Sequence, residues 1–428
     1  MSDGEGIGEK QMSKEHIDLN GKTILVTGSP GFIGANLVLR LLRTMSSGTV
    51  ISLDNMNDYY DVGLKEYRLG LISAAAQSSS VQHIFVKGDI ADKAVLDNLF
   101  KKYRIDIVVN LAAQAGVRYS IDHPDAYVTS NLIGFYNILE CCRHSYSSAS
   151  SDADQQEKRD GTFAKDGYKG VQHLVYASSS SVYGGNKKVP FSTEDPVDHP
   201  VSLYAATKKS NELLAYAYSK LYNIPSTGLR FFTVYGPAGR PDMFYFSATN
   251  RLAKGDKIQI FNYGNCKRDF TYVDDIVEGI VRVMQGAPEK ETGPDGLPIP
   301  PYAVYNIGGG QPENLLDYIS TLQEELVRAG VLPVDYDFAA HRELVGMQPG
   351  DVPVTYADSA ALEADYGFKP RIGIREGLRA FAEWYAEYYG TTKHRGVGLF
   401  AEQAVCQVTS TDKSHNAERP SSSSGEQK

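Results

Sequence analysis

The sequence has few cysteines and no long apolar run, and both absences exclude whole classes of protein. Its 428 residues contain four cysteines, Cys141, Cys142, Cys266 and Cys406, with no CxxC pair and no Cys/His ligand spacing. A disulfide framework and a structural zinc site are therefore not expected, and we predict reduced cysteines and no metal. No uninterrupted apolar stretch approaches the roughly 18 residues that a membrane span needs.

The chain also lacks a block of basic residues. It has 43 Lys and Arg against 52 Asp and Glu, for a net charge of −9. This acidic balance argues against a nucleic acid or a membrane surface as a partner. The first twenty residues are polar and contain no apolar stretch after a basic start, so no signal peptide is predicted. We therefore expect a cytoplasmic protein.

From Lys22 onward, short apolar runs alternate with longer amphipathic stretches. The amphipathic stretches include Phe32–Thr44 and Asp92–Tyr103. The apolar runs are typical of strands buried on both faces, and they read KTILV, TVISLD, HIFVKGD, DIVVNLAA and VQHLVYAS, with STGLRFFTVYG (226–236) as a sixth. This alternation predicts an α/β fold with a doubly wound parallel sheet, Rossmann-like in its connections.

The pattern becomes irregular after Gly236, where glycine, proline and aromatic residues interrupt shorter elements. We therefore expect a smaller mixed α/β domain that binds the substrate. The predicted divisions are a polar N-terminal tail (1–20), the Rossmann-like domain (21–235, with 266–307 returning to it), the smaller domain (236–265 and 308–390) and a disordered tail (391–428). Two polar segments predict surface loops, an insertion at 146–170 and a second loop at 286–301.

A glycine turn joins the first predicted strand to the first predicted helix, with Gly28, Gly31 and Gly34 three residues apart. Such glycines allow a tight turn and close approach of a pyrophosphate to the helix N-terminus. Asp54 ends the second strand, 54 − 34 = 20 residues past the last glycine. A carboxylate there can accept both ribose hydroxyls and would repel a 2′-phosphate, which favours NAD over NADP. A glycine pattern alone is weak, but this context favours a dinucleotide site over a plain structural turn.

Two further segments fall at the carboxyl ends of strands, where an open α/β sheet binds ligands. They are GDI (88–90) and LAAQAG (111–116). The cofactor-binding residues predicted around the glycine turn and these strand ends are Gly28, Gly31, Phe32, Ile33, Gly34, Asp54, Asn55, Asp89, Ile90, Leu111, Ala112 and Ala113.

The fifth strand ends in a run of hydroxyl side chains, Ser178–Ser181, and a helix then opens with Tyr204 and Lys208. Residues four apart share one helix face, so the Lys208 ammonium can lie near the Tyr204 phenol. A phenol with a pKa of about 10 is a poor base at neutral pH unless a cation and hydroxyl donors stabilise the phenolate. An exposed helix pair is the plain alternative. The serine run and the predicted nicotinamide site favour a catalytic pair.

These residues resemble the extended short-chain dehydrogenase/reductase superfamily, in its nucleotide-sugar epimerase branch. The resemblance covers roughly residues 22–388, without the 146–170 insertion. Within that branch the chain is similar to the UDP-glucuronate 4-epimerases, through NLAAQAGVRYSI (110–121), SLYAATKKSNELLA (202–215), LRFFTVYGP (229–237), GRPDM (239–243), RDFTYVDDI (268–276), YNIGG (305–309) and MQPGDVPVTYAD (347–358). The chain departs from the family pattern at Ala238, where a bulky aromatic residue is common.

The resemblance implies an NAD-dependent interconversion of UDP-glucuronate and UDP-galacturonate through a transient 4-keto sugar. Catalysis would fall to Tyr204 as base, with Lys208 and Ser179. Asn131, Tyr204, Lys208 and Phe231 would join the cofactor-binding residues. The substrate-binding residues would be Ser179, Ser180, Ser181, Thr233, Arg240, Arg268, Gln348 and Asp351. The partners we expect are a UDP-sugar and a second copy of the chain in a homodimer, with no nucleic acid and no membrane.

Ser181 favours epimerisation over the elimination of water or decarboxylation that related enzymes catalyse. Relatives that eliminate water or decarboxylate after the same oxidation tend to carry Glu at that position, because proton transfer at C5 needs a second acid or base. A hydroxyl cannot take over that transfer at neutral pH. Arg240 would bind the C6 carboxylate, since burying that charge is costly without a cationic partner.

Several alternatives stay open. The whole chain could be a UDP-glucose/UDP-galactose 4-epimerase or a catalytically silent NAD-binding regulator. Arg240 could be exposed and paired with Asp242, and Asp351 could be a turn residue. Ser180 and Ser181 could be polar edge sequence. Asn131 could orient the lysine through water or cap a helix turn.

Overall fold

The computed structural model describes residues 14–148, 168–347 and 353–392. The strands are β1 (Lys14–His16), β2 (Thr23–Thr27), β3 (Thr49–Asp54), β4 (Gln82–Lys87), β5 (Ile107–Asn110), β6 (His173–Ser179), β7 (Ser226–Phe231), β8 (Thr233–Tyr235), β9 (Ile258–Ile260), β10 (Lys267–Tyr272), β11 (Gly286–Pro288), β12 (Glu291–Thr292), β13 (Pro298–Ile299), β14 (Tyr302–Ile307), β15 (Pro312–Asn314) and β16 (Arg342–Leu344).

The helices are α1 (Phe32–Thr44), α2 (Val62–Gln77), α3 (Lys93–Lys102), α4 (Tyr119–Asp122), α5 (Pro124–Tyr127), α6 (Gly134–Ser148), α7 (Leu203–Tyr222), α8 (Phe244–Leu252), α9 (Val273–Met284), α10 (Leu315–Arg328), α11 (Ala360–Tyr366) and α12 (Ile374–Thr392). A π-helical turn spans Val128–Ile133, and 3₁₀ turns span Ser180–Tyr183 and Phe261–Gly264. None of the helices in the described part of the chain combines the length and apolar character of a bilayer span.

The main sheet has seven strands in the order β14-β7-β6-β5-β2-β3-β4. Every neighbouring pair in it is parallel. The chain starts at β2 in the middle, builds outward through β3 and β4, and then returns to the other side through β5. This confirms the predicted doubly wound α/β fold. The reversal of strand order between β2 and β5 opens a crevice at the carboxyl ends of the strands.

Alternate residues of one central strand feed two separate cores. Ile24 and Val26 of β2 join a cluster with α1 and α9 on one face, and Leu25 joins a cluster with α3 and α6 on the other. All three side chains are fully buried. A strand covered on both faces needs apolar residues at every position, which explains the continuous run that predicted it.

Side-chain caps set the start of α3 and α7. The Asp92 carboxylate accepts hydrogen bonds from the first N–H groups of α3, and the Ser202 hydroxyl accepts one from Ala205 at the start of α7. Asn223 ends α7 in the left-handed conformation. Helix α1 spans the same residues that its amphipathic pattern predicts.

A second layer covers the carboxyl edge of the main sheet. Strand β10 pairs in parallel with β8 and antiparallel with β15, and β9 pairs with β16. Phe270 of β10 stacks on Tyr318 of α10 with ring centroids 3.8 Å apart. Because this layer shares one continuous apolar cluster with α1 and α9, the predicted division into two domains stays a prediction.

Three segments differ in detail from the expectations. The single predicted strand at 226–236 is two strands in different sheets, since the chain leaves the main sheet after Phe231. The predicted loop at 286–301 contains β11, which pairs with β1 of the predicted polar tail, and the β12–β13 hairpin. Strands of two or three residues carry too little periodicity to be recognised. Residues 149–167 of the predicted insertion and 393–428 of the predicted tail lie outside the described residues.

Candidate active site

A cavity of about 1110 Å³ lies at the carboxyl ends of the main sheet, between the sheet and the second layer. Most of the predicted site residues line it, from the glycine turn, β3, β5, β6, α7, β7, β8 and the loop before α8. Asn131 is buried behind the wall, and Gln348 and Asp351 lie outside the described residues.

The glycine turn forms one wall of this cavity and needs glycine for steric reasons. Gly28 has φ +70°, and a Cβ there would lie 2.8 Å from the Ala112 nitrogen. A Cβ on Gly34 would lie 2.4 Å from the Gly28 carbonyl oxygen. Helix α1 begins at Gly31 without a side-chain cap, so its first N–H groups are suited to bind the oxygens of a pyrophosphate.

Carboxylates gather at the end of the crevice next to β3 and β4. Asp54 ends β3, and the Asn55 amide donates to the Asp89 carboxylate at 2.8 Å. Lys65 was not predicted for the site, yet its ammonium lies 3.4 Å from Asp54 Oδ1 and donates to Asn57 at 2.8 Å. Together with the glycine turn, these groups fit the pyrophosphate and ribose of a dinucleotide. They also place a cation where the sequence predicted only an acid.

The predicted catalytic residues meet at the end of β6. Tyr204 and Lys208 both line the cavity from α7. The Ser179 hydroxyl lies close enough to the Tyr204 phenol to lower its pKa, and it accepts a hydrogen bond from the Ser181 N–H at 3.2 Å. The Lys208 ammonium is buried and donates to the Ala177 carbonyl at 2.8 Å. The structure therefore brings the three residues to one wall, with the lysine anchored on the strand.

Burial dominates the ionisation of this pair. Loss of solvent lowers the pKa of Lys208 to about 8. It raises the pKa of Tyr204, against the smaller opposing effects of the Ser179 hydroxyl and the Arg240 charge. The groups that lower the phenol pKa are thus the Ser179 hydroxyl and Arg240, where the sequence predicted Lys208. Among the described residues, Arg240 supplies the lowering charge and Asp242 opposes it.

The buried ion pair between Glu212 and Arg230 contacts the serine run through Ser178. Arg230 of β7 donates to both carboxylate oxygens of Glu212, at 2.8 and 2.9 Å, and the Ser178 hydroxyl donates to the same carboxylate at 2.7 Å. Arg230 also donates to the Tyr183 hydroxyl at 3.0 Å. Burial opposes ionisation of Glu212, but the hydrogen bonds and charge of Arg230 hold its pKa below the ordinary value. Glu212 stands four residues after Lys208, a spacing that could have revealed it.

Arg68 connects the two loops that border the cavity. Its guanidinium is almost fully buried and donates to the Pro30 carbonyl at 3.0 Å, in the glycine turn. It also donates to the carbonyls of Ala238 and Gly239, at 2.8 and 2.7 Å, in the loop before α8. The position of Arg240 therefore depends on a residue of α2 that no sequence motif had marked.

The predicted substrate side is reached by Ser180, Ser181, Thr233, Arg240 and Arg268. Arg268 donates to the carbonyl oxygens of its neighbour Lys267 and of Pro353, at 3.0 and 3.1 Å. Arg240 pairs with Asp242, as the alternative for this residue proposed, but its side chain is partly buried and lines the cavity, whereas the alternative had it exposed. Phe231 lines the cavity from the end of β7.

Asn131 joins two elements behind the cavity wall through direct hydrogen bonds. Its side-chain amide donates to the Gln114 carbonyl and the Thr207 hydroxyl, both at 3.0 Å, and its oxygen accepts from the Gln114 N–H at 2.8 Å. These bonds tie the loop after β5 to α7. Asn131 thus acts behind the wall of the cavity, and the structure shows no contact between it and Lys208 within the described ranges.

Metal-ligating side chains do not gather in the described ranges, where no three His, Cys, Asp or Glu side chains are placed to hold an ion. Cys141, Cys142 and Cys266 are buried, free thiols, and Cys406 lies outside those ranges. Cys266 lines the cavity and the other two belong to the core.

A glycine turn at an uncapped helix, an acid at the end of the next strand and a Ser-Tyr-Lys set on one cleft are typical of an NAD-dependent enzyme of the short-chain dehydrogenase/reductase type. Residues 24–308 match the NAD dependent epimerase/dehydratase family, and the chain belongs to that family. The predicted family and the predicted cofactor are thereby confirmed.

The chain is similar over most of its length to several known proteins of this family. The chain is 45% identical to Protein CapI of Staphylococcus aureus over 372 residues, covering 86% of this chain and 99% of the relative. It is 42% identical to UDP-glucuronate 4-epimerase 4 of Arabidopsis thaliana over 381 residues, covering 87% and 77%. A solved UDP-glucuronic acid 4-epimerase from Bacillus cereus, in complex with UDP-glucuronic acid and NAD, superposes with a TM-score of 0.67 at 28% identity, covering 86% and 100%.

Asp54→Ala should both weaken NAD binding and release Lys65 for a 2′-phosphate. Loss of the acid removes charge-assisted bonds to the ribose, so the Kd for NAD should rise roughly tenfold or more. The unpaired Lys65 ammonium should in turn improve NADP binding relative to NAD. Titration calorimetry with both dinucleotides measures the two effects.

The double variant Asp54→Ala/Lys65→Met is the matched control, because it removes the same acid without leaving a cation. It should lose the gain in relative NADP affinity. Equal NADP binding by the single and double variants would show that Lys65 does not reach the 2′ position.

Glu212→Gln should make folding stability less sensitive to acid. The folded-state pKa of Glu212 is lowered, so its stabilising contribution is complete above the ordinary pKa of about 4.3 and is lost as pH falls through the folded-state value. Removing one member of a buried ion pair costs about 3–5 kcal/mol at neutral pH. The variant should therefore melt well below the parent protein at pH 7, and the two melting temperatures should converge only as pH falls below about 4, through the folded-state pKa of Glu212. Exposed Glu289→Gln should show neither effect.

Proposed function

We propose that this protein is an NAD-dependent 4-epimerase that interconverts UDP-glucuronate and UDP-galacturonate. The observation that carries the proposal is the Ser179–Tyr204–Lys208 wall with Arg240 facing the same cavity. The relative from A. thaliana and the structure from B. cereus support the sugar, since both carry the name of this activity.

The residues around the cavity have separate tasks in this reaction. When bound, NAD⁺ accepts the hydride of sugar C4 and returns it to the opposite face of the ring. Tyr204 takes the proton of the 4-hydroxyl and later gives it back. Ser179 hydrogen-bonds the same oxygen and so holds it against the phenol. Lys208, fixed on the Ala177 carbonyl, adds positive charge to that wall while it is protonated.

The cofactor would be held by the groups that border the other half of the cavity. The uncapped start of α1 faces the pyrophosphate, and Asp54 and Asp89 face the adenosine ribose. A Cβ on Gly28 or Gly34 would collide with backbone atoms, so the turn that carries these groups requires glycine at both positions.

The serine run argues for epimerisation over elimination of water or decarboxylation. Ser181 N–H bonds back to Ser179, and Ser178 is committed to Glu212. No Asp or Glu occurs in residues 177–183, so that strand end offers no second acid or base for C5. The 4-keto sugar can then turn over and be reduced without losing CO₂, provided that its carboxylate stays paired.

Arg240 is the group suited to hold that carboxylate, because a guanidinium can donate two parallel hydrogen bonds to it. UDP-glucose has no C6 carboxylate, so it would leave the edge of this guanidinium that Asp242 does not use without an anion. A UDP-glucose/UDP-galactose epimerase is therefore the second candidate, and a silent NAD-binding regulator is disfavoured because it has no use for a tyrosine base.

Purified protein should convert UDP-glucuronate to UDP-galacturonate without added reductant, and faster than it converts UDP-glucose to UDP-galactose. Tyr204→Phe keeps the ring but removes the ionisable oxygen, so turnover should fall by roughly 10²-fold or more, the scale of a lost general base. Chromatography of the UDP-sugars measures both. Stoichiometric NADH in solution would indicate a dehydrogenase, and near-normal turnover by Tyr204→Phe would remove it from the mechanism.

We also infer that the protein forms a homodimer through the outer faces of α6 and α7. These helices pack side by side and expose large apolar side chains, with 44% of Tyr136, 59% of Leu213 and 47% of Tyr216 accessible. Val128 and Ile133 of the preceding π-helical turn are exposed as well. Exposed apolar side chains on neighbouring helices are typical of a protein interface, and a twofold axis would place the same residues of two copies against each other.

Leu213→Asp combined with Tyr216→Asp should convert the dimer to a monomer, because burying a charge there costs more than the leucine contributed, about 1.5–3 kcal/mol. Light scattering should give twice 46.9 kDa for the parent protein and 46.9 kDa for the variant. Val334→Asp, at a position 91% exposed, is the matched control and should stay dimeric. A parent protein that is monomeric at micromolar concentration would contradict the inference.

Cytoplasmic residence stays a prediction that cell fractionation can test.

A further inference from the structure

The side chains of Arg240 and Asp242, from the loop before α8, meet the side chain of Tyr59, from the segment between β3 and α2, on the cavity wall. Arg240 donates to Asp242 through Nε at 3.0 Å and through Nη2 at 2.5 Å. The Tyr59 hydroxyl donates to the same carboxylate at 3.2 Å, and the Arg240 guanidinium carbon lies 6.0 Å from the centre of the Tyr59 ring. All three residues and Tyr204 line the cavity.

The pair leaves part of the guanidinium unused. A guanidinium has two forked edges, one formed by Nε and Nη2 and the other by Nη1 and Nη2. Asp242 takes the first edge. The second edge is not part of that pair, so a second carboxylate can bind to it while Asp242 remains in place. The Arg240 side chain is 24% exposed, which gives a ligand access to it.

We propose that Asp242 and Tyr59 are positioning residues that hold Arg240 with its second edge turned to the C6 carboxylate of the sugar. This inference rests on the proposed function, because it gives that function its selectivity for an acidic sugar. An arginine side chain is long and flexible, and fixing it in advance removes the entropy that it would otherwise lose on binding. Asp242 therefore favours carboxylate binding although it carries the same charge as the ligand.

The same pair sets the charge that reaches the catalytic phenol. Tyr204 is faced by Ser179 from β6, Tyr127 from α5, Lys208 from its own helix, and Arg240 with Asp242 from the loop before α8. Arg240 lowers the pKa of Tyr204 and Asp242 raises it. The two charges therefore oppose each other at the phenol, while the open guanidinium edge still meets the substrate as a cation.

The two halves of the pair therefore have opposite effects on the base. Asp242→Asn removes the charge that raises the pKa of Tyr204, so the acid limb of the kcat profile should move to lower pH. Arg240→Met removes the charge that lowers it, so the limb should move to higher pH. A loss of packing alone would not shift the two profiles in opposite directions.

The test compares Asp242→Asn, Tyr59→Phe and Arg240→Met with the parent protein, each in the NAD-bound form. KM for UDP-glucuronate should rise about 10-fold in Asp242→Asn, about 3-fold in Tyr59→Phe and about 10- to 150-fold in Arg240→Met, as expected for lost charge-assisted bonds. The Kd of UDP, which has no sugar carboxylate, should stay within about twofold in all three. Exposed Asp335→Asn should change none of these values.

The outcomes separate this inference from the proposed function. A lower KM for UDP-glucuronate in Asp242→Asn would mean that Asp242 competes with the substrate, and an unchanged KM would mean that it does not orient Arg240. Either result, or pH limbs that move in the same direction, overturns the positioning role while the epimerase activity of the parent protein stands. A parent protein that does not epimerise UDP-glucuronate overturns the proposed function, and this inference with it.

Discussion

The relative position of the glycine turn and the loop before α8 depends on the buried guanidinium of Arg68. It donates to a carbonyl of the glycine turn and to two carbonyls of the loop before α8. A buried charge is costly unless its hydrogen bonds are made, so both loops must be in place for the fold to be stable. The hydrogen bonds that allow Arg68 to be buried thus also fix the distance between the glycine turn and the loop before α8, which border the cavity.

A second buried charge does the corresponding task on the opposite wall. The Glu212–Arg230 pair joins α7 to β7 and accepts a hydrogen bond from the Ser178 hydroxyl, next to Ser179. Charge-assisted bonds of this kind are short and directional in a desolvated interior. The strand end and the helix that carry Ser179, Tyr204 and Lys208 therefore keep one relative geometry, which a purely apolar contact would fix less strictly.

The parts of the site that could be predicted are those whose residues are close in sequence. Gly28 to Gly34 form one turn and Tyr204 to Lys208 one helix turn, so spacing alone specifies their geometry. Lys65 beside Asp54, and Arg68 beside Ala238, come together only through the fold; the latter two are 170 residues apart. No local pattern distinguishes such a lysine or arginine from a solvated one. The main sheet was predictable for a related reason, because strands buried on both faces have continuous apolar runs, whereas β11, β12 and β13 are too short to show a period.

The charges around Tyr204 act on its pKa in opposite directions. Burial and the Asp242 charge raise the pKa, and the Arg240 charge and the Ser179 hydroxyl lower it. The Lys208 ammonium donates to a strand carbonyl on the same wall. In a desolvated site a charge a few ångströms away acts strongly on a neighbouring pKa. In the proposed reaction, positive charge bound beside the phenol would therefore favour loss of its proton, so the group that accepts the hydride would also assist the base.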